Sequence, residues 1–541
     1  MSVPPDTIPG PCHHALGEPT PESAHAVVVN LPRLADVIGY EERDKATMSL
    51  VRTGYPRFLR HPLVSKAVHC VAEAAGISAA RHEMFPVASE AAALLLVKRL
   101  HLEACSRIVP ASAAGSTRTP PGSATGHATD DGAGWALLCV ERDAPDSAAH
   151  RTAKYTQHTG LQISSRRAED WLHARGLVPA PAPEALDETI RPDNAACRLQ
   201  DMIAPWMEPA TPADITPCPS GMNAFHAALE AARAVQRAAG RRTWLQLGWL
   251  YTDTSELLRK SLRPGEHLEI IHDALDRQAI EECFARNGTR LAGVVTETPT
   301  NPLLCTADLP HLRALADGCG ALLLLDPSTG GLPNTRALPF ADILAVSLTK
   351  YAAPDGDVML GALAVNPARP HANALAGALR KAGQSSLAPV HWRDAARLGF
   401  EMRGMEEVAA LVNANTPRLV EWLSSHPRVQ RVRWAFDATT ARNYARIARA
   451  PGACGGLVSI NLNGDFATFH DRMRAVKGPS FGTRFTIVSP YVYMAHYDLV
   501  RDATRHDRMR ALGLHPELIR ISVGAEPFDE IRAAFAEALD A

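Results

Sequence analysis

Two residues whose types and positions suit joint chemistry on a small molecule lie one strand apart. Asp326 closes the apolar run Ala321-Leu-Leu-Leu-Leu-Asp326, and Lys350 follows shortly after the run Ile343-Leu-Ala-Val-Ser347. In an open parallel sheet the carboxyl ends of the strands open into one crevice, which is where ligands bind. An amine there can form a Schiff base with an aldehyde, and a carboxylate can keep a ring nitrogen protonated, so the pair suits pyridoxal phosphate chemistry. Ser347 and Thr349 flank the lysine and offer hydroxyls to a phosphate. By itself the pair has a plainer explanation: an aspartate capping a turn and a solvated lysine at a strand end.

Three further segments fall where this chemistry would need them. Cys218-Pro-Ser-Gly-Met-Asn223 opens an amphipathic helix expected over 224–238, so Gly221 and Met222 would present backbone amides at a helix N-terminus, an anion site. Ser220 would cap the same helix with or without a ligand. Tyr251, in Gly248-Trp-Leu-Tyr-Thr-Asp-Thr254, follows a predicted strand; its ring could stack on a pyridine and its hydroxyl join proton transfers, or it could be a packing tyrosine. Glu297-Thr-Pro-Thr-Asn-Pro302 carries two prolines that stiffen the turn, holding Asn301 where it could reach a cofactor oxygen. No metal site is expected, because Cys12-His13-His14 lacks a second ligand pair.

The elements that must position these residues follow from pattern. From about Arg198 onward helical stretches alternate with short apolar runs, the signature of βα units on a parallel sheet; the clearest runs start at Trp244, Leu291, Ala321 and Ile343. Between two of them an amphipathic helix over 309–317 stops at Gly318 and Gly320. Beyond Asn366 the alternation loosens into a long helical pattern over 392–431 and strand-like runs at 456–461 and 518–523, expected to form a smaller α+β domain. Upstream, residues 109–134 are rich in Ser, Thr, Gly, Pro and Ala and read as a disordered loop, and the proline-rich 177–194 as a linker or strap. The short piece 135–176, with a strand at 135–140 and a helix over 164–175, is too small to stand alone. The expected division is therefore 1–194 as an N-terminal extension and arm, 195–365 as the large cofactor-binding domain and 366–541 as the small domain.

Composition sets the outer limits. The chain has 541 residues, too many for one ordinary domain. Hydrophobic residues make up 46% and charged residues 21%, which excludes a wholly disordered chain and does not fit a membrane protein. With 56 Lys and Arg against 58 Asp and Glu, the formal charge of −2 lacks the electrostatic footprint of a nucleic-acid binder. Ten scattered cysteines without a CxxC pair, and an N-terminus with neither a basic nor an apolar signal region, lead us to expect a cytoplasmic protein with reduced thiols.

Taken together, Glu297-Thr-Pro-Thr-Asn-Pro302, Asp326, Ser347-Leu-Thr-Lys-Tyr351 and Leu518-Ile-Arg-Ile-Ser-Val-Gly524 resemble the Cys/Met-metabolism family of pyridoxal phosphate enzymes. Upstream, His25 to Pro32, Ile38-Gly-Tyr-Glu-Glu42, Gly54-Tyr-Pro-Arg-Phe58, Gln157-His-Thr-Gly160 and Ile163-Ser-Ser-Arg166 are similar to the long N-terminal extension of fungal-type cystathionine γ-synthases. The resemblance implies an α/β fold of the aspartate aminotransferase-like, PLP-dependent transferase type, with a mostly parallel central sheet.

By the same resemblance Lys350 is the Schiff-base lysine and Asp326 the partner of the pyridinium nitrogen. Tyr251 stacks on the ring, while Gly221, Met222, Ser347 and Thr349 bind phosphate. Tyr55 and Arg57 match a Tyr-x-Arg motif that reaches the phosphate from a neighbouring subunit, implying a homodimer or homotetramer with a shared site. Arg520 and Ser480 match groups that hold the substrate α-carboxylate, a task suited to a planar bidentate donor. The sequence departs from the family after Lys350, where Tyr-Ala-Ala-Pro-Asp355 replaces a glycine-rich stretch, and at Ser480-Phe-Gly-Thr483, which lacks the second glycine. His158, Ser165 and Arg166 match the extension without an assigned role. The reaction implied is γ-replacement on an O-acylhomoserine by cysteine to give cystathionine, with a γ- or β-lyase or a sulfhydrylase as alternatives and a non-catalytic binding protein as the competing class.

Overall fold

A seven-stranded sheet carries the crevice. Its strands are β4 (Ile215–Cys218), β5 (Thr243–Leu247), β6 (His267–Ile271), β7 (Leu291–Glu297), β8 (Leu322–Asp326), β9 (Ile343–Ser347) and β10 (Gly361–Val365) in the computed structural model, which describes residues 8–113, 134–382 and 386–540. They run in the order β4-β10-β9-β8-β7-β5-β6. The pairings from β6 to β9 are parallel, and β10 is antiparallel to both β9 and β4. The sheet is thus α/β and mostly parallel. Strands such as β8, with four consecutive leucines buried, read as unbroken apolar runs because helices cover both faces.

Local chemistry sets the covering helices. Ser220 caps the helix Gly221–Ala238 by accepting a hydrogen bond from the Asn223 amide at 3.1 Å, and its small-residue face packs Ala224, Ala228 and Leu229 against Trp244, Leu322 and Ile343. The helix Leu309–Cys319 starts at the cap Asp308 and ends at Gly320, whose φ of +74° suits glycine.

A second sheet, β11 (Val429–Trp434), β12 (Leu457–Leu462), β13 (Val476–Lys477), β14 (Ile487–Pro490) and β15 (Ile519–Ser522), runs in the order β11-β12-β15-β14-β13. Helices Met405–Ser425 and Phe528–Leu539 cover it, packing Leu419, Ile531 and Phe535 on Val458 and Ile521. The helical pattern expected over 392–431 divides into Trp392–Met402, Met405–Ser425 and strand β11. Gly404 caps the second helix, and Pro427 follows its end, where the residue before a proline is pushed out of the helical region.

Residues 62–173 form a third layer: strands β1 (His82–Val87), β2 (Ser106–Pro110) and β3 (Ala136–Glu141) pair antiparallel in the order β1-β3-β2. Helices Pro62–Ala74, Glu90–Leu100, Ala148–Thr159 and Ser165–His173 enclose a core with Val71, Phe85, Leu96, Leu137 and Leu172. The piece 135–176 is completed by strands and helices upstream of the low-complexity stretch. Of that stretch, residues 109–113 finish β2 and a 3₁₀ turn, and 114–133 lie outside the described residues. A buried ionic cluster ties this layer to the seven-stranded sheet. Arg166 donates to the Asp357 carbonyl at 2.9 Å and to Glu184, and Ser165 meets His25 at 2.9 Å. Among the described residues no helix is long and apolar enough to cross a membrane.

Candidate active site

The register of the parallel strands brings the candidate residues to one edge. Glu297 pairs with Asp326 across β7 and β8, Ser347 ends β9, and Tyr251 lies just past β5, so four neighbouring strands deliver side chains into one cavity of about 1030 Å³. Gly361, at the start of antiparallel β10, lies opposite both Ser347 and Cys218 and draws Gly221 to the same edge. A side chain at Gly361 would sit 2.5 Å from the Gly221 nitrogen, and one at Gly221 would sit 2.8 Å from Ser347 Cβ. Gly221 and Met222, the first residues of their helix, line the cavity, and their amides lack intrahelical acceptors.

Lys350 is the centre. Its Nζ donates to Ser480 Oγ at 3.1 Å and sits 4.9 Å from the Tyr55 ring centre and 4.8 Å from that of Phe481. Burial, reinforced by the positive charges of Arg520 and Arg57 and opposed by Asp326, lowers its pKa to about 7. Burial raises Asp326 to about 6, against the hydrogen bond it accepts from the Ser328 amide at 2.8 Å and the pull of Lys350. Glu297, buried beside Asp326, is held well above the usual carboxylate range, first by burial and then by that neighbour's charge. One of its oxygens accepts from the Tyr251 amide at 2.5 Å.

Arg520, 2% exposed on the central strand β15, is held from three sides. It donates to Asn301 Oδ1 at 3.0 Å, to the Pro479 carbonyl at 2.5 Å and to the Ser480 carbonyl at 3.1 Å, and it stacks between Phe481 and Tyr491. Asn301 is therefore in the cavity as expected, but its carboxamide oxygen is committed to Arg520. Thr349 is not among the residues lining the cavity: its hydroxyl donates to the Leu360 carbonyl at 3.2 Å and accepts from the Leu360 amide at 3.1 Å, bracing the start of β10. Ser347 does line it, with its hydroxyl buried and unpartnered among the described residues.

Tyr55 and Arg57 of this chain line the cavity that holds Lys350. Arg57 donates to Tyr251 Oη at 2.7 Å, to the Gln157 carbonyl at 2.7 Å and to Asp253. Burial opposes its charge, but Tyr251 and Asp253 more than offset that, and Arg57 stays cationic. Burial raises the Tyr251 phenol well above its ordinary value against the pull of Arg57. Motif reading left Asp253, Glu297, Ser328 and Tyr491 without roles and read His158 as structural. Asp253 lies two residues beyond Tyr251, but nothing in that spacing says that it would be buried beneath an arginine from a distant segment.

The fold and this edge define a class: the chain superposes on cystathionine γ-synthase from Xanthomonas oryzae pv. oryzae with a TM-score of 0.51 at 23% identity, over 60% of this chain and 81% of that one. Residues 196–540 match the model of the Cys/Met metabolism PLP-dependent enzymes, and the chain belongs to that family. Full-length relatives include the L-2-amino-4-chloropent-4-enoate dechlorinase/desaturase of Streptantibioticus cattleyicolor, 37% identical over 96% of this chain and 97% of that protein. The cystathionine γ-synthase of Neurospora crassa is 27% identical over 97% and 98%.

Pyridoxal 5′-phosphate fits the donor set of the cavity. An amine whose pKa burial lowers to about 7, a carboxylate at the neighbouring strand end, a serine hydroxyl and an arginine Nε that are unpartnered among the described residues, and two helix N-terminal amides supply a group for each end of that cofactor. A first prediction concerns loading. Because the Lys350 amine must be neutral to react, the rate at which cofactor-free protein gains the visible absorbance of bound pyridoxal phosphate rises with pH through about 7 and then levels off. A lysine at the ordinary value would give a rate still climbing above pH 9; stopped-flow mixing across pH 5.5–9.5, a range set by those two values, separates the two.

Proposed function

We propose that the protein acts at the γ-carbon of an L-amino acid that carries a leaving group there. The observation that carries this reading is Lys350, held at a near-neutral pKa between Ser480 and Tyr55 in the cavity that also presents the Arg520 clamp. Arg520, braced by Asn301, orients the substrate α-carboxylate through paired charge-assisted hydrogen bonds. Lys350 then has the reach and basicity to take a proton at Cα and next one at Cβ, the second removal being what lets the γ-substituent leave with its bonding pair, and Ser480 holds its Nζ. The bound cofactor supplies the electron sink that makes the Cα proton removable. Tyr251, a neutral phenol oriented by Arg57, lines the same cavity and can hand a proton to the departing group.

γ-Replacement on an O-acylhomoserine with cysteine as nucleophile is the first form of this reading, since Neurospora crassa cystathionine γ-synthase matches from end to end. A second form, loss of the γ-substituent with no incoming nucleophile, is favoured by the higher identity to the dechlorinase/desaturase. Incubation with O-acetyl- or O-succinylhomoserine, with and without cysteine, and with L-2-amino-4-chloropent-4-enoate decides between them. Cystathionine formed only with cysteine supports replacement; chloride release from the third substrate, untouched by cysteine, supports elimination; no reaction of any of them overturns the γ-carbon reading.

A further inference from the structure

The turn that follows Lys350 is held at its far end by the buried ionic cluster of the extension. Two hydrogen bonds stiffen the turn: the Ala353 amide donates to the Lys350 carbonyl and the Gly356 amide to the Ala353 carbonyl, both at 3.1 Å, with Pro354 between them. Gly356 has φ +83°, which suits glycine. Asp357 closes the turn and is 5% exposed. Its carbonyl accepts from Arg166 Nη1 at 2.9 Å, and its carboxylate accepts from Arg397 Nε at 3.0 Å and from Ser23 Oγ at 3.2 Å. Asp355, two residues earlier, pairs with Arg397 at 2.7 Å and with Arg484 at 2.6 Å. Burial opposes the charge of Asp357, but Arg166 and then Arg397 more than offset that, and the carboxylate stays ionised. Arg166, itself buried, also donates from Nε to Glu184 of the proline-rich strap at 2.9 Å.

We infer that Arg166 is a positioning residue that fixes the turn 350–357, and with it Lys350, against the extension. The Lys350 amine stands among Arg520, Arg57, Asp326 and Ser480, yet its side chain makes one hydrogen bond, so its place is set by the backbone that carries it. That backbone is locked to Asp357 by the two bonds of the turn, and Asp357 is locked by Arg166. A planar guanidinium bonds a carbonyl and a carboxylate at once from one fixed position, which a lysine ammonium cannot do. Asp355 and Asp357 are like charges gathered on Arg397, and a second arginine keeps them from forcing the turn open. The segment Ile163-Ser-Ser-Arg166 thereby gains a task that reaches the cavity from outside it. The inference rests on the reading of Lys350 as the cofactor lysine.

The test reads cofactor loading and not turnover. Cofactor-free wild type, Arg166→Lys and Asp170→Asn are each mixed with pyridoxal 5′-phosphate from about pH 5.5 to 9.5, and the rate at which visible absorbance appears is followed. Asp170 lies one helical turn beyond Arg166 and bonds His391 at 2.9 Å and Arg393 at 2.6 Å, so its change loosens the same layer without touching the turn. In Arg166→Lys the turn relaxes and the Lys350 amine gains water. Its inflection, at about 7 in the wild type, is expected to rise by about one pH unit or more toward the ordinary lysine value. Asp170→Asn is expected to keep the wild-type inflection whatever it loses in melting temperature. An unchanged inflection in Arg166→Lys, or an equal rise in Asp170→Asn, overturns the positioning role. Should the lysine variant fail to fold, Asp357→Asn, which keeps the side-chain shape and removes one buried charge, decides by the same criterion. A wild type that gains no absorbance overturns the cofactor reading, and the positioning of a cofactor lysine with it.

Discussion

Lys350→Ala yields a folded protein that lacks the visible absorbance of lysine-bound cofactor and turns over roughly 10³-fold more slowly or worse, because the same amine anchors the cofactor and carries the proton. The fold is expected to tolerate the change. Lys350 makes one side-chain hydrogen bond, to Ser480, and its charge is opposed by burial and by two nearby arginines, so removing it relieves a cost as well as a contact. A melting temperature within a few degrees of wild type, together with a colourless spectrum in the presence of pyridoxal phosphate, is the expected pair of readings. Retention of the wild-type spectrum would remove Lys350 from the centre of the site. A wild type that is itself colourless would favour the non-catalytic class.

Asp326→Asn is expected to keep the cofactor and lose rate. The asparagine oxygen can still accept from the Ser328 amide, so the strand end is preserved, and a buried charge beside Glu297 disappears, so stability holds or rises. What is lost is the negative charge that would face the protonated ring nitrogen. Removal of such a preorganised electrostatic partner costs about 10² to 10³ in kcat. Because Asp326 opposes the lowering of Lys350, its neutralisation also moves the loading profile to lower pH. Steady-state rates alongside spectra decide the matter: a variant within tenfold of wild type would exclude Asp326 as the electrostatic partner.

These two residues were legible because strand ends are written locally. Apolar runs of five or six residues closed by Asp326 and Ser347 identify buried parallel strands, and the chemistry of such sheets places ligands at their carboxyl ends. Gly221, Met222 and Tyr251 were legible for the same reason, each being fixed by the nearest strand or helix start. Thr349 shares a segment with Ser347 and Lys350, but its hydroxyl's partners belong to the approach to β10, a strand that lies beyond it in the chain and that no local pattern ties to it. Nothing local to Asn301 reveals that β15 of the second sheet brings Arg520 onto its oxygen.

The sequence by itself therefore determined the α/β class and, through the order of its motifs, the family and its cofactor, since periodicity, caps and short motifs act over a few positions and survive without knowledge of the rest of the chain. Only the tertiary structure decided that Arg57 and Gln157 meet on Asp253 and that residues 62–173 build a layer with its own core. Those outcomes rest on contacts between segments about 100 to 200 positions apart, such as Arg57 with Gln157 and Asp253. Burial of a charge at such a meeting point is set by packing, which no local pattern records.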